Sequence, residues 1–494
     1  MAMSAKFLAF DIGAESGRAL IGSLDDGKLS IEEAHRFNNI PVWVLGTLHW
    51  DVLRLFEDIK QGLRRAVNKH GGDIVGIGVD TWGVDHGLIG EGDELVGNPF
   101  HYRDSRTDGM MEEACRRVPR EHIYELTGIQ FMQLNTLFQL YAASRKTPWM
   151  LDEARTMLLM GDLFNFWLTG RKVCEFSNAT TSQCYNPRKR EWAYDLLDDL
   201  SIPIHFLAEI VPSGTILGLL LPTVQEETGS PAIPVIAPAT HDTGCAVAAV
   251  PASSKNHVYI SSGTWSLMGV EITEPLINEQ ALAMNFTNEG GVYGTFRFLR
   301  NIMGLWIVQE CRRIWQREGQ EYSYAELTEM AARSQPWVSL IDPDHTRFLA
   351  PGDMPSRVQQ YCSETNQPVP ESRGDIVRCA LDSLALKYRL VVENLDALFD
   401  RKHEPIHIVG GGAQNKLLCQ LTADATKRTV IAGPIEATAI GNVLVQAIST
   451  GYVSDLNQAR EIVRNSFDVV TYGPQPDDHS DEAYSRFKNL TAEQ

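Results

Sequence analysis

Short apolar runs and longer periodic stretches alternate along the chain. Four runs, at residues 7–11, 74–79, 233–237 and 406–409, are too short for a helix and stop at polar residues or glycines, which predicts strands. Two longer stretches, 52–67 and 375–398, repeat apolar residues every three or four positions, which predicts helices. Strands that alternate with helices are typical of an α/β fold with parallel strand pairing.

One strand–turn–strand pattern occurs twice. In the first copy, a polar turn joins the strand at 7–11 to a second apolar strand at 18–21. In the second copy, residues 258–260 enter the turn 261–266 and residues 267–272 leave it. Two copies about half a chain apart predict a duplicated architecture. We place the domain boundary just before the polar segment at 251–256, which gives domains 1–248 and 249–494.

Composition excludes several classes of protein. The 63 acidic and 44 basic residues give a formal net charge of −19, which disfavours binding to nucleic acid or to an anionic membrane surface. We expect no signal peptide and no membrane helix, because no apolar stretch approaches the required length. The eight cysteines form no CxxC pair, which indicates reduced thiols in a cytoplasmic protein. Whether Cys362 and Cys379 pair depends on the fold, and the charge fits a monomer or a homodimer equally.

The turn after the first strand has the chemistry of a phosphate site. Its glycines allow backbone N–H groups to approach an anion, and the hydroxyl of Ser16 adds a donor. Asp11 could hold a hydrated Mg²⁺, and Arg18 carries a planar fork suited to phosphate. The turn is neither a GxxxxGK[ST] loop nor a GxGxxG motif, and most Gly/Ser hairpins are only turns.

Two further turns share this character. The second hairpin, 261–266, reads SSGTWS and has more hydroxyls than the first. The cluster Gly410–Gly412 follows a predicted strand and precedes a helix, with Asn415 nearby as a hydrogen-bonding group. Each turn alone fits an ordinary strand connection. Together with the first turn they favour a nucleotide bound in a cleft.

A general base is predicted in the motif THDT at 240–243. Asp242 follows an apolar strand and is suited to accept a proton from a sugar hydroxyl. Phosphoryl transfer needs mainly positioning and charge neutralisation, so one base with Mg²⁺ and phosphate donors is sufficient. The alternative is that Asp242 caps a helix that begins near Gly244.

Two other segments have the residues of a sugar pocket. The motif DTWGVD at 80–85 sets an aromatic ring beside Gly83 and two carboxylates, although a strand end with a buried Trp82 explains it equally well. Asn301 is predicted at the start of a helix that runs towards Gln309, where it could cap that helix, point at a sugar, or do both.

These motifs, in this order, resemble the FGGY carbohydrate kinases of the actin-like ATPase superfamily, from Asp11 to about Gln446. The matching segments are DIGAESGR, DTWGVD, YRDSRT, THDT, SSGTWSLMG, NIMGLW, HIVGGGAQN and EATAIGN. The resemblance implies two duplicated actin-like (ribonuclease H-like) α/β domains that flank a catalytic cleft. It implies that the first domain carries the sugar site and the first phosphate loop, and the second domain the second phosphate loop and the adenosine site.

The activity implied by the resemblance is ATP-dependent phosphorylation of L-rhamnulose at O1, in L-rhamnose catabolism. L-Fuculose and D-xylulose are alternative ketose substrates. An actin-like nucleotide-driven switch or a sugar-sensing regulator is the alternative of another class, although the THDT and DTWGVD motifs favour the enzyme. The implied cofactors are ATP and Mg²⁺, and the implied partner is a small ketose.

The resemblance also assigns site residues. The general base falls on Asp242, and the carboxylate near Mg²⁺ falls on Asp11. Sugar contacts fall on Gly83, His241, Asp242, Thr243 and Asn301. ATP contacts fall on Ala14, Glu15, Ser16, Gly17, Arg18, Thr264, Gln309 and Gly411. A glutamate beside phosphates would be repulsive, so we expect Glu15 to turn away or to meet a cation.

Overall fold

The computed structural model describes residues 4–476 and 479–492. Its strands are β1 (Ala5–Ile12), β2 (Ser16–Asp25), β3 (Lys28–Asn38), β4 (Val42–Val44), β5 (Thr47–His49), β6 (Ile74–Thr81), β7 (His86–Ile89), β8 (Thr156–Leu159), β9 (Val173–Glu175), β10 (Tyr185–Asn186), β11 (Glu191–Trp192), β12 (Glu209–Val211), β13 (Thr215–Leu219), β14 (Pro234–Ala237), β15 (Val258–Ser262), β16 (Trp265–Ile272), β17 (Thr287–Gly290), β18 (Phe296–Met303), β19 (Ile406–Val409), β20 (Val430–Ala432) and β21 (Val470–Tyr472).

The helices lie between these strands and after them. They are α1 (Val52–His70), α2 (Met110–Arg117), α3 (Arg120–Thr127), α4 (Thr136–Lys146), α5 (Pro148–Glu153), α6 (Met160–Thr169), α7 (Phe176–Thr181), α8 (Tyr194–Asp199), α9 (Pro222–Thr228), α10 (Asp242–Ala248), α11 (Glu279–Ala283), α12 (Trp306–Arg317), α13 (Tyr324–Arg333), α14 (Met354–Glu364), α15 (Arg373–Phe399), α16 (Lys416–Thr426), α17 (Ala437–Ser449), α18 (Leu456–Ser466) and α19 (Ser480–Ala492). The α/β class predicted from the alternating pattern is confirmed.

The first large sheet has the strand order β13-β14-β6-β1-β2-β3. At its centre, β1 pairs antiparallel with β2 and parallel with β6, and β6 pairs parallel with β14. Nearly all positions of β1 and β6 are buried, as expected for strands covered on both faces, and this explains their continuous apolar sequence. The carboxyl ends of β1, β6 and β14 therefore lie along one edge.

The second large sheet has the order β17-β18-β16-β15-β19-β20-β21. Here β15 pairs antiparallel with β16 and parallel with β19, and β19 pairs parallel with β20. The run β16-β15-β19-β20 repeats the run β2-β1-β6-β14 in both order and direction. The duplication predicted from the two hairpins is confirmed at the level of the sheets.

The chain forms two compact units. Among the described residues, the first contains those up to 251 together with 271–299 and 437–466, and the second contains 252–270, 300–436 and those from 467 onward. In the first unit, α17 packs against β1 and β6, where a Cβ added to Gly78 would lie 2.3 Å from Asn442 Oδ1. Because Gly78 has no side chain, α17 can pack closely against β6 at this position. The sequence boundary at 248/249 stays a prediction.

The two predicted long helices are present. Asp51 caps α1 by accepting a hydrogen bond from the backbone N–H of Arg54. At the start of α15, Ser372 and Asp375 form a reciprocal capping box. The helix predicted to start at Asn301 was wrong in its position, because β18 continues to Met303 and α12 begins only at Trp306.

All eight cysteines are free thiols. Cys362 and Cys379 are in hydrogen-bonding contact, and this contact lowers the pKa of Cys362. Among residues 4–476 and 479–492, no helix is both long and apolar enough to cross a membrane.

Candidate functional site

The carboxyl edge of the first sheet collects acidic side chains. Asp11 near the end of β1 lies opposite Asp80 near the end of β6 in the parallel register. The segment that follows β14 reaches the same edge, since the backbone N–H of Thr81 donates to the carbonyl of Thr240 at 2.9 Å. Asp242 is two residues further on. The fold thus brings together carboxylates that are more than 60 residues apart in the sequence.

The predicted first phosphate loop is a tight hairpin turn. Ala14 and Glu15 lie in the turn, and Ser16, Gly17 and Arg18 begin β2. The turn is anchored by Asn39, whose backbone N–H donates to the carbonyl of Glu15 at 3.0 Å and whose Nδ2 donates to the carbonyl of Gly13 at 2.9 Å. A Cβ at Gly17 would lie 2.2 Å from the ring of Phe37, so this position requires glycine.

An ion pair closes the base of this hairpin. Arg18 Nη2 lies 2.6 Å from Asp11 Oδ2, across the antiparallel register of β1 and β2. Asp11 Oδ1 accepts no hydrogen bond from a residue that the structure describes. The carboxylate therefore has one oxygen neutralised by a cation and a second oxygen available to a ligand.

Asp80 is the most strongly perturbed acid of this edge. Burial, together with the negative charges of Asp11 and Asp242, raises the pKa of Asp80 well above its usual value. Its Oδ2 accepts a 2.6 Å hydrogen bond from Asn442, while Oδ1 is buried without a partner among the described residues. The sequence placed Asp80 in a sugar motif, but its burial makes it a support beneath the edge.

Asp242 occupies the first turn of α10. It is the first helical residue and does not cap the helix, because His241 stands at the cap position. Its Oδ1 accepts from the backbone N–H of Thr243 at 2.5 Å and from the Thr243 hydroxyl at 3.0 Å. The side chain keeps 31% of its surface exposed, yet the enclosing protein raises its pKa, against the opposing effect of His241. The carboxylate is thus both reachable and more basic than an ordinary aspartate.

His241 links Asp242 to a buried ion pair that sequence reasoning missed. His241 Nε2 lies 3.4 Å from Asp242 Oδ1. On the other side of the ring, Nδ1 lies 3.1 Å from Arg297 Nη2 and 3.4 Å from Glu289 Oε2. The available signal was weak: an acid and a base at the two ends of a glycine-rich hairpin, with no motif around them.

A second pair of buried acids holds the segment that carries the base. Glu175 Oε2 accepts from the backbone N–H of Thr240 at 2.9 Å and from the hydroxyl of Ser177 at 2.5 Å. Asp162 Oδ1 accepts from the backbone N–H of Glu175 at 3.1 Å. Burial raises the pKa of both acids, since desolvation penalises their charged forms. Neither residue lies in a motif that predicted a functional role from the sequence.

Gly83 lies half-buried in the segment that follows β6. A Cβ at this position would lie 3.1 Å from the side chain of Thr181, whose hydroxyl accepts from the backbone N–H of Val84 at 3.1 Å. Trp82 is buried, and its indole N–H donates to Asp85 at 3.0 Å. The alternative of a buried Trp82 is therefore correct. Gly83 and Val84 are the half-buried positions of the motif, and its other residues are buried.

Asp85 is enclosed by donors. The indole of Trp50, the amide of Gln139 and the backbone N–H of Tyr102 also donate to it, at 2.6, 2.8 and 3.2 Å. Burial outweighs these donors and raises the pKa of Asp85 to about 6. This acid fixes the aromatic core below Gly83.

The corresponding edge of the second sheet carries uncharged groups. In the turn between β15 and β16, the backbone N–H of Gly263 donates to the carbonyl of Trp265 at 2.8 Å. Residues outside this turn hold the half-buried Thr264. Its carbonyl accepts from the backbone N–H groups of Gly304 and Trp306, each at 3.2 Å. The anchor is thus the backbone that leads into α12.

The other second-unit residues surround the glycine cluster and α12. Gly410 has a φ of 82°, and a Cβ at Gly412 would lie 2.0 Å from Ser262 Oγ. Gly411 is exposed, with open space where a Cβ would stand. Gln309 Oε1, on α12, is buried without a hydrogen bond to a described residue. Asn301 is half-buried in β18.

The acidic edge fits a hydrated cation better than a closed metal centre. Among the described residues, no group of three or more His, Cys, Asp or Glu side chains is arranged to hold a metal ion. Mg²⁺ keeps several waters and is bound through one or two carboxylates together with substrate phosphates. Asp11, with its second oxygen available, fits that requirement.

The comparisons with known proteins agree over nearly the whole chain. The model of the N-terminal domain of the FGGY family of carbohydrate kinases matches residues 6–249, and the model of its C-terminal domain matches residues 258–450. A rhamnulokinase of Bacteroides thetaiotaomicron is 45% identical over 99% of both chains. Rhamnulokinases of Oceanobacillus iheyensis and Pectobacterium atrosepticum are 43% and 41% identical, over 94% and 98% of this chain and 97% and 96% of theirs.

Solved structures share the fold at low sequence identity. A ligand-bound xylulose kinase from Lactobacillus acidophilus aligns with a TM-score of 0.81 at 16% identity, over 99% of this chain and 97% of its own. A glycerol kinase from Plasmodium falciparum with ADP aligns with a TM-score of 0.78 at 14% identity, over 99% and 98%. With both family models matched and relatives above 40% identity along the full length, the chain belongs to the FGGY family of carbohydrate kinases.

Proposed function

We propose that the protein transfers the γ-phosphoryl group of ATP to O1 of L-rhamnulose, giving L-rhamnulose 1-phosphate and ADP. The observation that carries the substrate assignment is the identity of 45% with a rhamnulokinase over 99% of both chains. The geometry supports the reaction class, because a basic, reachable carboxylate lies on the same sheet edge as the hairpin of Asp11 and Arg18.

Asp242 is the general base of this proposal. Burial raises its pKa above the usual value for aspartate, which makes the carboxylate a stronger proton acceptor. The proton of the sugar's primary hydroxyl passes to the carboxylate as the oxygen attacks the γ-phosphorus. The proposed sugar contacts are Gly83, His241, Thr243 and Asn301.

The proposed nucleotide contacts lie on the first hairpin, in the turn of the second hairpin, on α12 and in the glycine cluster. Residues 14–18 and Thr264 are the proposed phosphate contacts, and Gln309 and Gly411 are further proposed ATP contacts. Mg²⁺, when bound near Asp11, neutralises charge on the phosphates. Free thiols at all eight cysteines fit a reducing cytoplasm, where we place the enzyme.

The test is ADP release with Mg²⁺ and ATP across L-rhamnulose, L-fuculose, D-xylulose, L-ribulose, glycerol and no sugar. We expect strong turnover with L-rhamnulose and little with the others. Preferred turnover of another ketose would overturn the substrate and leave the role of Asp242 standing. Turnover that no sugar stimulates would overturn the kinase proposal itself.

A further inference from the structure

We infer that Arg297, held by Glu289, fixes the tautomer of His241 and thereby orients Asp242, so that Arg297 is a positioning residue for proton transfer. This inference rests on the proposed role of Asp242 as the base. It assigns a function to a buried ion pair that no motif marks.

The register of β17 and β18 fixes the position of Arg297. Glu289 in β17 and Arg297 in β18 are direct partners in the antiparallel register. Their side chains approach to 3.3 Å, and Arg297 Nε donates to the carbonyl of Gly290 at 2.8 Å. The arginine side chain is 0% exposed. A buried guanidinium that is paired and hydrogen-bonded in this way has little freedom to move.

The hydrogen bond between Arg297 and His241 can have only one donor. Arginine donates hydrogen bonds and cannot accept them, so Nη2 at 3.1 Å requires an acceptor at His241 Nδ1. Neutral imidazole carries one proton, which must then be on Nε2. Glu289, at 3.4 Å from Nδ1, would favour the opposite tautomer if the arginine were absent. The arginine thus selects between two states of the ring.

The selected tautomer places the ring proton on Nε2, the ring nitrogen that lies near Asp242. His241 Nε2 lies 3.4 Å from Asp242 Oδ1, the oxygen that already accepts both donors of Thr243. Among the described residues, both hydrogen bonds to this carboxylate and the approach of His241 are on Oδ1. Oδ2 is therefore the oxygen left for the sugar hydroxyl. With the proton on Nδ1, the bare Nε2 would repel Oδ1 and the carboxylate could rotate.

The first test reads the tautomer directly. Protein labelled with ¹⁵N at its 13 histidines would be examined by two-bond ¹H–¹⁵N correlation, with His241 assigned by its absence in His241→Gln. We expect a neutral His241 protonated at Nε2. In Arg297→Met, we expect the proton to move to Nδ1, facing Glu289. A wild-type ring protonated at Nδ1 overturns the inference, whatever the activity.

The second test reads catalysis. We expect Arg297→Met to lower kcat about 100-fold, the effect of a catalytic group displaced by about 1 Å, with the KM for ATP nearly unchanged. Arg297→Lys keeps a donor without the fork and should recover part of kcat. Wild-type kcat in a folded Arg297→Met protein overturns the inference.

A matched control separates positioning from stability. Arg378 is a buried arginine paired at 2.7 Å with Asp382, and it belongs to the second unit. Arg378→Met should lower the melting temperature and leave kcat unchanged. If Arg297→Met does not fold, Glu289→Gln keeps the arginine donor and must keep Nε2 protonated; a shift to Nδ1 there overturns the inference. Failure of the sugar panel leaves these NMR outcomes intact, so the two proposals fail separately.

Discussion

The carboxyl edges of the two large sheets have the same strand arrangement and different chemistry. In the first, the strands β1, β6 and β14 lead to Asp11, Asp80 and Asp242. In the second, the equivalent strands β15, β19 and β20 lead to serines and to glycines with positive φ at Gly410 and Gly433. Two sheets with the same strand arrangement can therefore carry different chemistry at their carboxyl edges.

The difference follows from which groups each edge buries. Burial, followed by repulsion between the neighbouring carboxylates, raises the pKa of Asp80. The carboxyl edge of the first sheet is therefore suited to binding cations and accepting protons. Glycines remove side chains and allow backbone N–H groups to approach an anion or a flat ring. The first edge is adapted to charge, and the second to close approach.

The largest expected effect is on the acidic edge. Asp242→Asn keeps the shape of the side chain and removes the base, so kcat should fall by about 10²–10⁴-fold. ATP binding, measured by calorimetry, should be nearly unchanged. Asp195→Asn, which alters an exposed aspartate, is the control and should keep wild-type turnover. A tenth of wild-type turnover in Asp242→Asn would contradict the assignment of the base.

Two neighbouring glycines, Gly411 and Gly412, test the role of the glycine-rich carboxyl edge of the second sheet. In Gly412→Ala, the new Cβ would lie 2.0 Å from Ser262 Oγ, and overpacking should cost about 1–3 kcal/mol of unfolding free energy. Gly411→Ala meets open space and should keep the stability while weakening ATP binding. Urea unfolding and nucleotide titration measure the two effects. Equal stability of the two variants would show that the packing at Ser262 is not limiting.

The pH profile sharpens the description of the acidic edge. The base must be ionised, so kcat/KM should fall as the pH is lowered through the pKa of Asp242, which burial raises above the usual value for aspartate. Thr243→Val removes the 3.0 Å hydroxyl donor that favours the carboxylate, and the acid limb should move to higher pH. An acid limb at the same pH in both proteins would exclude Thr243 from setting this pKa.

The smallest effect is expected at the anchor of the first hairpin. Asn39→Ala removes the Nδ2 bond to the carbonyl of Gly13 and should cost about 1 kcal/mol of stability, seen as a lower melting temperature. The KM for ATP should rise more than the KM for the ketose. Asn38→Ala, at the exposed neighbouring position, is the control. An equal response of both variants would mean that Asn39 does not support the turn.

Local features of the fold were predictable because short-range pattern decides them. The strands at β1, β6 and β19 and the helices α1 and α15 follow from apolar runs, periodicity and caps. The start of α12 was misplaced because Asn301 and its neighbours are held in β18 by pairing with another strand, which no local signal reports. Trp82 likewise reads as a pocket residue until its indole is seen to donate to Asp85.

The sequence by itself determined the α/β class, the duplication, the family and the residues of the hairpins and of THDT, since each of these is written in contiguous motifs. Only the tertiary structure decided which distant groups act on them. Glu289 and Arg297 reach His241 because strand register and close packing join segments about 50 residues apart in the chain. Burial and long-range contacts set the charge, tautomer and orientation of a side chain, and neither is encoded in the spacing of residues along a chain.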